Sequence, residues 1–230
     1  MNTTDYLIVK PSIIGEDGAR MYYTRSAATY DWRTSYETAH HREAIQRIGI
    51  REGDHVLEVA CGTGRATVEL AQQVGQMGKL DALDLTQAMM ARAQEKIRGL
   101  GLQQRVEFRT GNANHLPYED GAFDVLYNAY MFDLIPVEQF TTILTEFKRV
   151  LKPGGRLMLV NMSKDRGGKT LYEALYRRGL AGACRPVALS GVLNTVGFES
   201  ITRQYRRNVA GIIPLPFGTE IVSGRKAITA

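Results

Sequence analysis

The chain has 230 residues, of which 44% are hydrophobic, and its formal net charge is +5. This length supports one sizeable core, and the composition is typical of a globular protein. No run of about 18 apolar residues is present, so we expect no transmembrane helix, and the N-terminus lacks a secretory-signal pattern. The two cysteines, Cys61 and Cys184, are typical of the reducing cytoplasm, and no metal-site spacing is found.

The positive charge is concentrated in the C-terminal third. Between Lys164 and Arg207 there are nine basic residues and three acidic ones. Two interpretations stay open, namely an ordinary solvated face, or attraction to an anionic acceptor or an anionic lipid surface.

The N-terminal region divides at about residue 20. Residues 1–20 contain a proline and two glycines without a sustained period, which predicts a loop or a partly disordered arm. Aromatic residues then cluster between Tyr22 and Trp32. Residues 34–49 predict a helix, with Thr34 as its N-cap.

The stretch from His55 to Leu70 carries the strongest functional signal. Residues 55–59 form an aliphatic run typical of a strand buried on both faces, glycines interrupt it, and a helical pattern begins at Ala66. Strand, glycine turn and helix form a nucleotide-binding unit, because glycine lets a ligand approach the backbone closely.

Two residues of this unit distinguish between nucleotides. A dinucleotide fingerprint requires Gly or Ala at the third position, where this sequence has Thr67. Glu58, at the end of the strand, would repel a pyrophosphate but suits the ammonium and sulfonium of S-adenosylmethionine. We therefore predict S-adenosylmethionine as the cofactor and keep an NAD(P)-dependent oxidoreductase as a remote alternative.

The segment Leu57–Gly64, with the sequence LEVACGTG, resembles motif I of the class I S-adenosylmethionine-dependent methyltransferases. It is most similar to the group that includes the ubiquinone/menaquinone-biosynthesis C-methyltransferases, and the likeness extends from about Tyr22 to Lys226. The resemblance implies an α/β fold, with a Rossmann-like seven-stranded sheet, helices on both faces, strand order 3-2-1-4-5-7-6 and an antiparallel last pair. It also implies a methyltransferase enzyme.

Later segments match the cofactor motifs of this family. Asp84 ends the second strand, where one carboxylate can accept hydrogen bonds from both ribose hydroxyls. Residues 111–118 resemble a motif whose aspartate accepts from the adenine amino group. Asn112 replaces that aspartate here, and its amide oxygen can still accept. By resemblance, Tyr30 covers the methionine end of the cofactor and Arg25 approaches its carboxylate.

The predicted cofactor-binding set combines these motifs. It consists of Tyr30, Arg25, Glu58, Ala60, Cys61, Gly62, Thr63, Gly64, Asp84, Leu85, Met89, Asn112, Ala113, Asn128 and Ala129. Within this set, Leu85 and Met89 are expected to flank the adenine, and Asn128 and Ala129 to lie near the methyl group.

The resemblance also divides the chain. Residues 1–33 are expected to form an arm and flap, and residues 34–230 the methyltransferase domain. Within that domain, residues 170–217 are expected to supply the helices and loop on the acceptor side. The apolar segment 209–217 is predicted to be a connecting loop that lines an acceptor pocket, touches a membrane surface or packs on the core.

Methyl transfer is an in-line displacement in which the protein mainly positions and desolvates the reactants, so no catalytic triad is required. A base is needed only if the nucleophile must lose a proton. The candidate catalytic residues are Asp133, His40 and Tyr130, with His41 as a further candidate base. For an amine acceptor, tyrosine rings would instead stabilise the developing cation.

We predict methyl transfer to a small lipophilic acceptor that resembles a quinone or phenol. An enzyme similar to the phospholipid ethanolamine N-methyltransferases is the alternative, and a catalytically silent cofactor-binding protein is a remote one. The expected partner is a small molecule and not a nucleic acid, because Asn128 does not begin an Asn-Pro-Pro-Tyr type motif. Transient contact with a membrane surface and a homodimer stay open, and the expected location is the cytoplasm.

Overall fold

The fold is built on one seven-stranded sheet. The computed structural model describes residues 16–27, 30–164, 171–178, 184–210 and 213–228. The strands are β1 (His55–Val59), β2 (Lys79–Asp84), β3 (Val106–Thr110), β4 (Phe123–Ala129), β5 (Leu151–Ser163), β6 (Phe198–Ala210) and β7 (Ile213–Lys226). The helices are α1 (Glu16–Ser26), α2 (Tyr30–Arg33), α3 (Glu37–Ile48), α4 (Arg65–Gln73), α5 (Gln87–Gly99), α6 (Phe140–Val150), α7 (Leu171–Arg177) and α8 (Ser190–Val196), and a 3₁₀ turn at Val137–Gln139 precedes α6.

The strand order β3-β2-β1-β4-β5-β7-β6 confirms the sheet predicted from the sequence. Strands β1 to β5 are parallel, and β7 is antiparallel to both of its neighbours, β5 and β6. The chain moves outward from β1 in one direction to β2 and β3, then returns to place β4 on the other side of β1. This reversal opens a crevice beyond the carboxyl ends of β1 and β4, where ligands bind in sheets of this kind.

Helices cover both faces of the sheet, as the alternation of buried side chains along the central strands requires. Leu57 and Leu126 belong to the hydrophobic cluster that contains α6 and α8. Val56 and Val125, one residue earlier on the same strands, belong to the cluster formed with α3, α4 and α5. All four side chains are fully buried, so β1 and β4 form the centre of the core.

The prediction of a loop over residues 1–20 is wrong where the structure describes this region, because α1 begins at Glu16. Residues 1–15 lie outside the described part. Helix α1 has only a weak apolar side, and tertiary contacts hold it in place: Nη1 of Arg20 donates to the carbonyl oxygen of Leu85 at 3.1 Å.

The predicted helix start at Thr34 is also wrong. The hydroxyl of Thr34 donates to the carbonyl oxygen of Tyr30 at 3.0 Å, so this residue closes the turn that follows α2. Helix α3 begins at Glu37, and the residue before it makes no side-chain capping hydrogen bond.

The apolar segment 209–217 is not the loop that we predicted, because β6 continues to Ala210 and β7 starts at Ile213. Val209 pairs with Pro214 across this hairpin. The pairing of β7 with β5 ends at Gly218, so the hairpin projects beyond the sheet as a two-stranded ribbon. A proline is tolerated there because one side of the strand has no ladder to complete.

The basic C-terminal segment is not a continuous solvated face. Lys164 forms an ion pair with Glu173 at 2.9 Å, and Arg203 forms one with Glu220 at 2.8 Å. Arg185 is fully buried. Several of these charges therefore serve contacts within the chain. No helix among the described residues is long and apolar enough to cross a membrane.

The glycine turn after β1 provides a test of the packing. Gly64 has φ = +82°, and a Cβ added there would lie 2.7 Å from the Cα and Cβ atoms of Ala93 on α5. We expect Gly64→Ala to lower the free energy of unfolding by at least about 2 kcal/mol, through overpacking and backbone strain. Chemical denaturation measures this change.

Gly99→Ala is the matched control, because a Cβ at the end of α5 meets nothing within 4 Å. This variant should be as stable as the wild type or slightly more stable. A Gly64→Ala protein of wild-type stability would contradict the close approach of the turn to α5.

Candidate functional site

A cavity lies at the carboxyl ends of β1 to β4, in the crevice that the sheet topology creates. Its lining residues are Tyr23, Tyr30, Val59, Ala60, Gly62, Leu83, Asp84, Leu85, Met89, Gly111, Asn112, Ala113, Asn114, Ala129, Tyr130, Met131, Leu134, Ile135, Pro136, Gln139 and Ile143. The cavity thus extends from the glycine turn to the segment between β4 and α6, with α1 and α2 contributing one tyrosine each.

Asp84 organises the wall on the side of β2. Its Oδ2 accepts from the backbone N–H of Gly62 at 2.8 Å, and its Oδ1 accepts from the N–H of Thr86 at 2.8 Å. The residue is only 7% exposed. Burial raises the pKa of this carboxyl, while the two N–H donors act in the opposite direction. The Thr86 hydroxyl and the N–H of Leu85 also donate to this carboxyl and oppose the shift.

The glycine turn leaves its backbone open. Gly62 has φ = +55°, and a Cβ added there would meet nothing within 4 Å. Since Gly62 lines the cavity, this open space lies where a ligand can approach the main chain.

Two residues without the freedom of glycine adopt the left-handed conformation at the ends of neighbouring strands. Ala60, after β1, has φ = +61°, and Tyr130, after β4, has φ = +52°. Both line the cavity. Such conformations cost about 1–3 kcal/mol each and cluster at functional sites, so they mark this crevice independently of any motif.

The wall beyond β3 is fixed by side-chain amides. Oδ1 of Asn112 accepts from the N–H of Asn114 at 2.9 Å, and Nδ2 of Asn114 donates to Oε1 of Gln139 at 3.0 Å. These bonds connect the loop after β3 to the turn before α6, so two sides of the cavity are held together.

Asp31 attaches α2 to the glycine turn and to α5. Its Oδ1 accepts from the Thr63 hydroxyl at 2.5 Å, and its Oδ2 accepts from Nζ of Lys96 at 2.5 Å. Nη2 of Arg65 donates to the backbone carbonyl oxygen of Asp31 at 2.7 Å. These contacts hold the ring of Tyr30, one residue earlier, at the cavity wall.

Most of the predicted cofactor-binding residues meet at this cavity. Those that line it are Tyr30, Ala60, Gly62, Asp84, Leu85, Met89, Asn112, Ala113 and Ala129. The remaining ones do not line it: Arg25, Glu58, Cys61, Thr63, Gly64 and Asn128.

These remaining residues stand behind the wall or outside it. Nδ2 of Asn128 donates to the carbonyl oxygen of Val59 at 2.9 Å and joins the ends of β4 and β1. Glu58 is 3% exposed, and its burial raises its pKa to about 8, with the charge of Asp84 acting in the same direction. Arg25 is exposed on α1.

The candidate catalytic residues separate into two groups. The Tyr130 hydroxyl lies 3.2 Å from Nδ1 of His40 and 3.1 Å from Oγ1 of Thr219. Because Tyr130 and His40 are paired with each other in this way, neither is a free base. Nδ1 of His41 lies 2.8 Å from the Tyr127 hydroxyl, and burial lowers the pKa of this histidine to about 3. Asp133 is buried after β4, and desolvation raises its pKa to about 7.

Sequence reasoning missed one side of the cavity. The missed lining residues include Tyr23, Met131, Leu134, Ile135, Pro136, Gln139 and Ile143. All of these but Tyr23 follow the carboxyl end of β4. These residues could have been predicted from the rule that ligands bind beyond the carboxyl ends of strands where the strand order reverses.

Comparison with known proteins identifies the family to which this chain belongs. The model of the ubiE/COQ5 methyltransferase family matches residues 35–177. The chain is 32% identical to the demethylmenaquinone methyltransferase of Lactobacillus johnsonii, over 69% of this chain and 67% of that protein. It is 37% identical to the ubiquinone/menaquinone biosynthesis C-methyltransferase UbiE of Escherichia fergusonii, over 77% and 78%.

Solved structures share the fold at lower identity. The [4+2]-cyclase SpnF superposes with a TM-score of 0.75 at 19% identity, covering 95% of this chain and 98% of that one. A SAM-dependent methyltransferase from Aquifex aeolicus gives a TM-score of 0.59 at 24% identity, covering 80% and 88%.

The sheet order, the cavity and the family match together define a class I S-adenosylmethionine-dependent methyltransferase. The chain belongs to the ubiE/COQ5 methyltransferase family. With several other curated relatives it aligns over only about half of their length.

The geometry of Asp84 yields a prediction for cofactor binding. Asp84→Asn keeps one acceptor oxygen but removes the charge, so we expect the affinity for S-adenosylmethionine to fall roughly 10- to 100-fold. Isothermal titration measures the change. The control is Asp81→Asn on the same strand, since Asp81 is also buried but accepts from His55 and does not line the cavity. Equal losses in both variants would contradict a direct role of Asp84.

The attachment of α2 yields a second prediction. We expect Asp31→Asn to raise the dissociation constant for S-adenosylmethionine about 3- to 10-fold, because a neutral amide holds Lys96 and the Tyr30 segment less firmly. Trp32, the single tryptophan of the chain and 84% exposed, reports the titration by its fluorescence. Asp17→Asn, an exposed aspartate on α1, is the control. An unchanged constant for Asp31→Asn would rule out a role of this attachment in binding.

Proposed function

We propose that the protein transfers a methyl group from S-adenosylmethionine to a neutral, lipophilic acceptor of the hydroquinone or phenol type. The observation that carries this proposal is the distribution of charge around the cavity. Among the described lining residues, Asp84 is the one charged side chain, and it lies at the cofactor end. The printed names of the relatives, which refer to demethylmenaquinone and ubiquinone, support the same class of acceptor.

The residues at the cofactor end fit S-adenosylmethionine. Asp84 lines the cavity and would accept from the ribose hydroxyls, and the open backbone at Gly62 would lie against the ligand. Leu85 and Met89 supply apolar surface for the adenine, and Asn112 lies where the adenine edge is expected. The bound cofactor supplies a methyl group on a sulfonium that is already activated for displacement.

Glu58, Cys61, Thr63, Gly64 and Asn128 support binding indirectly in this proposal. They shape the turn and the strand ends that carry the lining atoms, as the contacts of Asn128 with Val59 and of Thr63 with Asp31 illustrate. Because burial raises the pKa of Glu58 to about 8, this carboxyl adds negative potential behind the cavity wall only where it is ionised.

The acceptor end provides an apolar and aromatic surface. Tyr23 and Tyr30 lie there with ring centroids 5.8 Å apart, opposite the segment that contains Met131, Leu134 and Ile135. Such a surface excludes water and orients a ring, and these are the main contributions a protein makes to a displacement reaction. We propose that residues 1–33 act as the flap over this end and that residues 34–230 form the catalytic domain.

An amine acceptor is the second candidate. Its support is that two buried carboxyls, those of Glu37 and Asp133, lie near three tyrosine rings. These rings belong to Tyr23, Tyr30 and Tyr36. Their pKa values are raised first by burial and further by the two carboxyl charges. Aromatic rings with carboxylates attract ammonium groups. A phospholipid headgroup is less well supported, because no described lining residue offers a cation to its phosphate.

We further propose that the protein works in the cytoplasm without nucleic acid and contacts membrane surfaces transiently to collect its acceptor. The two free cysteines agree with a reducing compartment. Whether two copies form a homodimer is tested directly by the molar mass in solution.

The assay that tests the proposal uses the purified chain with S-adenosylmethionine and a short-chain 2-prenyl-1,4-naphthoquinol kept reduced. We expect a product heavier by one methylene unit, dependent on both substrates. Gly62→Ala adds a Cβ that meets nothing, although φ = +55° adds backbone strain of about 1–3 kcal/mol, and the variant should lose cofactor binding and turnover. Methylation of phosphatidylethanolamine in vesicles, without any reaction of the quinol, would overturn the proposed acceptor.

A further inference from the structure

Three buried side chains beyond β4 and β5 carry polar atoms without a hydrogen-bond partner among the described residues. These atoms are Oδ1 of Asp133, Nε of Arg185 and the hydroxyl of Tyr176. None of the three side chains is more than 1% exposed. Burying such an atom unpaired is costly, so three of them in one cluster indicate a polar subsite.

Direct contacts and mutual electrostatics place the three groups together. The backbone N–H and Nη1 of Arg185 donate to the carbonyl oxygen of Asp133 at 3.0 and 3.3 Å, and Nη2 donates to that of Ile135. Burial raises the pKa of Asp133 and of Tyr176, and the guanidinium of Arg185 opposes that shift in both. Tyr176 packs in one cluster with Cys184, the residue before Arg185, so α7 brings the phenol to the same segment.

The cluster lies directly behind the acceptor end of the cavity, and none of its three side chains is part of the lining. Leu134 and Ile135, which follow Asp133 directly, line that end. The charge of Asp133 also reaches the cavity-lining rings of Tyr23 and Tyr30, where it adds to the rise in their pKa that burial causes.

We propose that Asp133, Arg185 and Tyr176 form the subsite that binds the ring oxygen of a phenolic acceptor, with Asp133 as the group that takes its proton. This proposal rests on the proposed function and specifies its chemistry. A carboxylate accepts from a ring hydroxyl, a guanidinium N–H stabilises the negative charge that develops on the same oxygen, and the Tyr176 hydroxyl completes its hydrogen bonds.

The proton and electron movements balance in this arrangement. The ring O–H bond breaks, the proton moves to Oδ1 of Asp133, and the ring carbon beside the oxygen forms the new C–CH₃ bond. The electron pair of the broken S–CH₃ bond stays on the departing thioether sulfur. The ring carbon then loses its C–H proton to water, the freed pair restores aromaticity, and Asp133 returns its proton to the oxygen. One proton is released overall.

Arg185 distinguishes this subsite from one for an amine. A guanidinium buried beside Asp133 repels an ammonium group in a region of low dielectric constant, whereas it attracts a phenolate. The carboxyl of Asp133 could attract a cation, but the guanidinium of Arg185 already balances its charge.

The pH dependence follows from Asp133. Burial raises its pKa to about 7, so the carboxyl is ionised above this pH and protonated below it. The titratable and charged groups that face it are Arg185, Tyr23, Tyr30, Tyr36, Glu37, Tyr172 and Cys184. Only the ionised form can accept a proton, so kcat should fall as the pH drops below about 7.

The first test uses Tyr176→Phe, because its hydroxyl has no partner to lose among the described residues. We expect unchanged thermal stability and S-adenosylmethionine affinity but a roughly 3- to 10-fold higher KM for the quinol. Tyr118→Phe is the matched control, since that ring packs on Phe123 at the amino end of β4, opposite the site. An unchanged KM in Tyr176→Phe would remove this residue from the subsite.

The second test uses Asp133→Asn, which cannot take a proton. We expect kcat to fall about 10²- to 10⁴-fold and the decline below pH 7 to disappear, while S-adenosylmethionine still binds. If the wild type methylates the quinol and Asp133→Asn keeps a near wild-type kcat and the wild-type pH profile, the subsite is overturned but the proposed acceptor is not. A wild type that binds S-adenosylmethionine but methylates only amines overturns both this inference and the proposed acceptor.

Discussion

The site depends on one buried carboxylate, that of Asp84, which joins two strands at their carboxyl ends. Its two oxygens accept from Gly62, in the turn after β1, and from Thr86, just before α5. Because β1 and β2 are paired in register up to Val59 and Leu83, these bonds extend the sheet's order into the turn. These bonds hold the turn in a conformation that places the backbone of Gly62 at the cavity, and because glycine has no side chain, the crevice there stays open.

The part of the protein that the sequence predicted well is the part that local chemistry determines. The aliphatic run of β1, the glycines after it and the aspartate at the end of β2 each require their residue types for a local physical reason. Together with the resemblance they were sufficient to predict the sheet order.

The features that the sequence did not reveal depend on contacts between distant segments. Helix α1 has a poor apolar period and is held by packing and by the bond from Arg20 to Leu85, 65 residues away. The Asp31 attachment joins α2 to Thr63 and Lys96 and leaves no periodic signal. The β6–β7 hairpin was misread because Pro214 normally interrupts a sheet, and only the three-dimensional pairing shows that its strand has a free side there.

The fold itself does not determine which reaction takes place, since a [4+2]-cyclase shares it across nearly the whole chain. The difference between reactions must therefore reside in the segments that surround the carboxyl ends of β4 and β5. In this protein those segments bring Arg185 to the backbone of Asp133, whereas the side of the cavity at β1 and β2 presents Gly62 and Asp84. The predicted cofactor motifs are short and continuous in the sequence, whereas the proposed acceptor subsite combines segments 52 residues apart, which meet where Nη1 of Arg185 donates to the backbone carbonyl oxygen of Asp133.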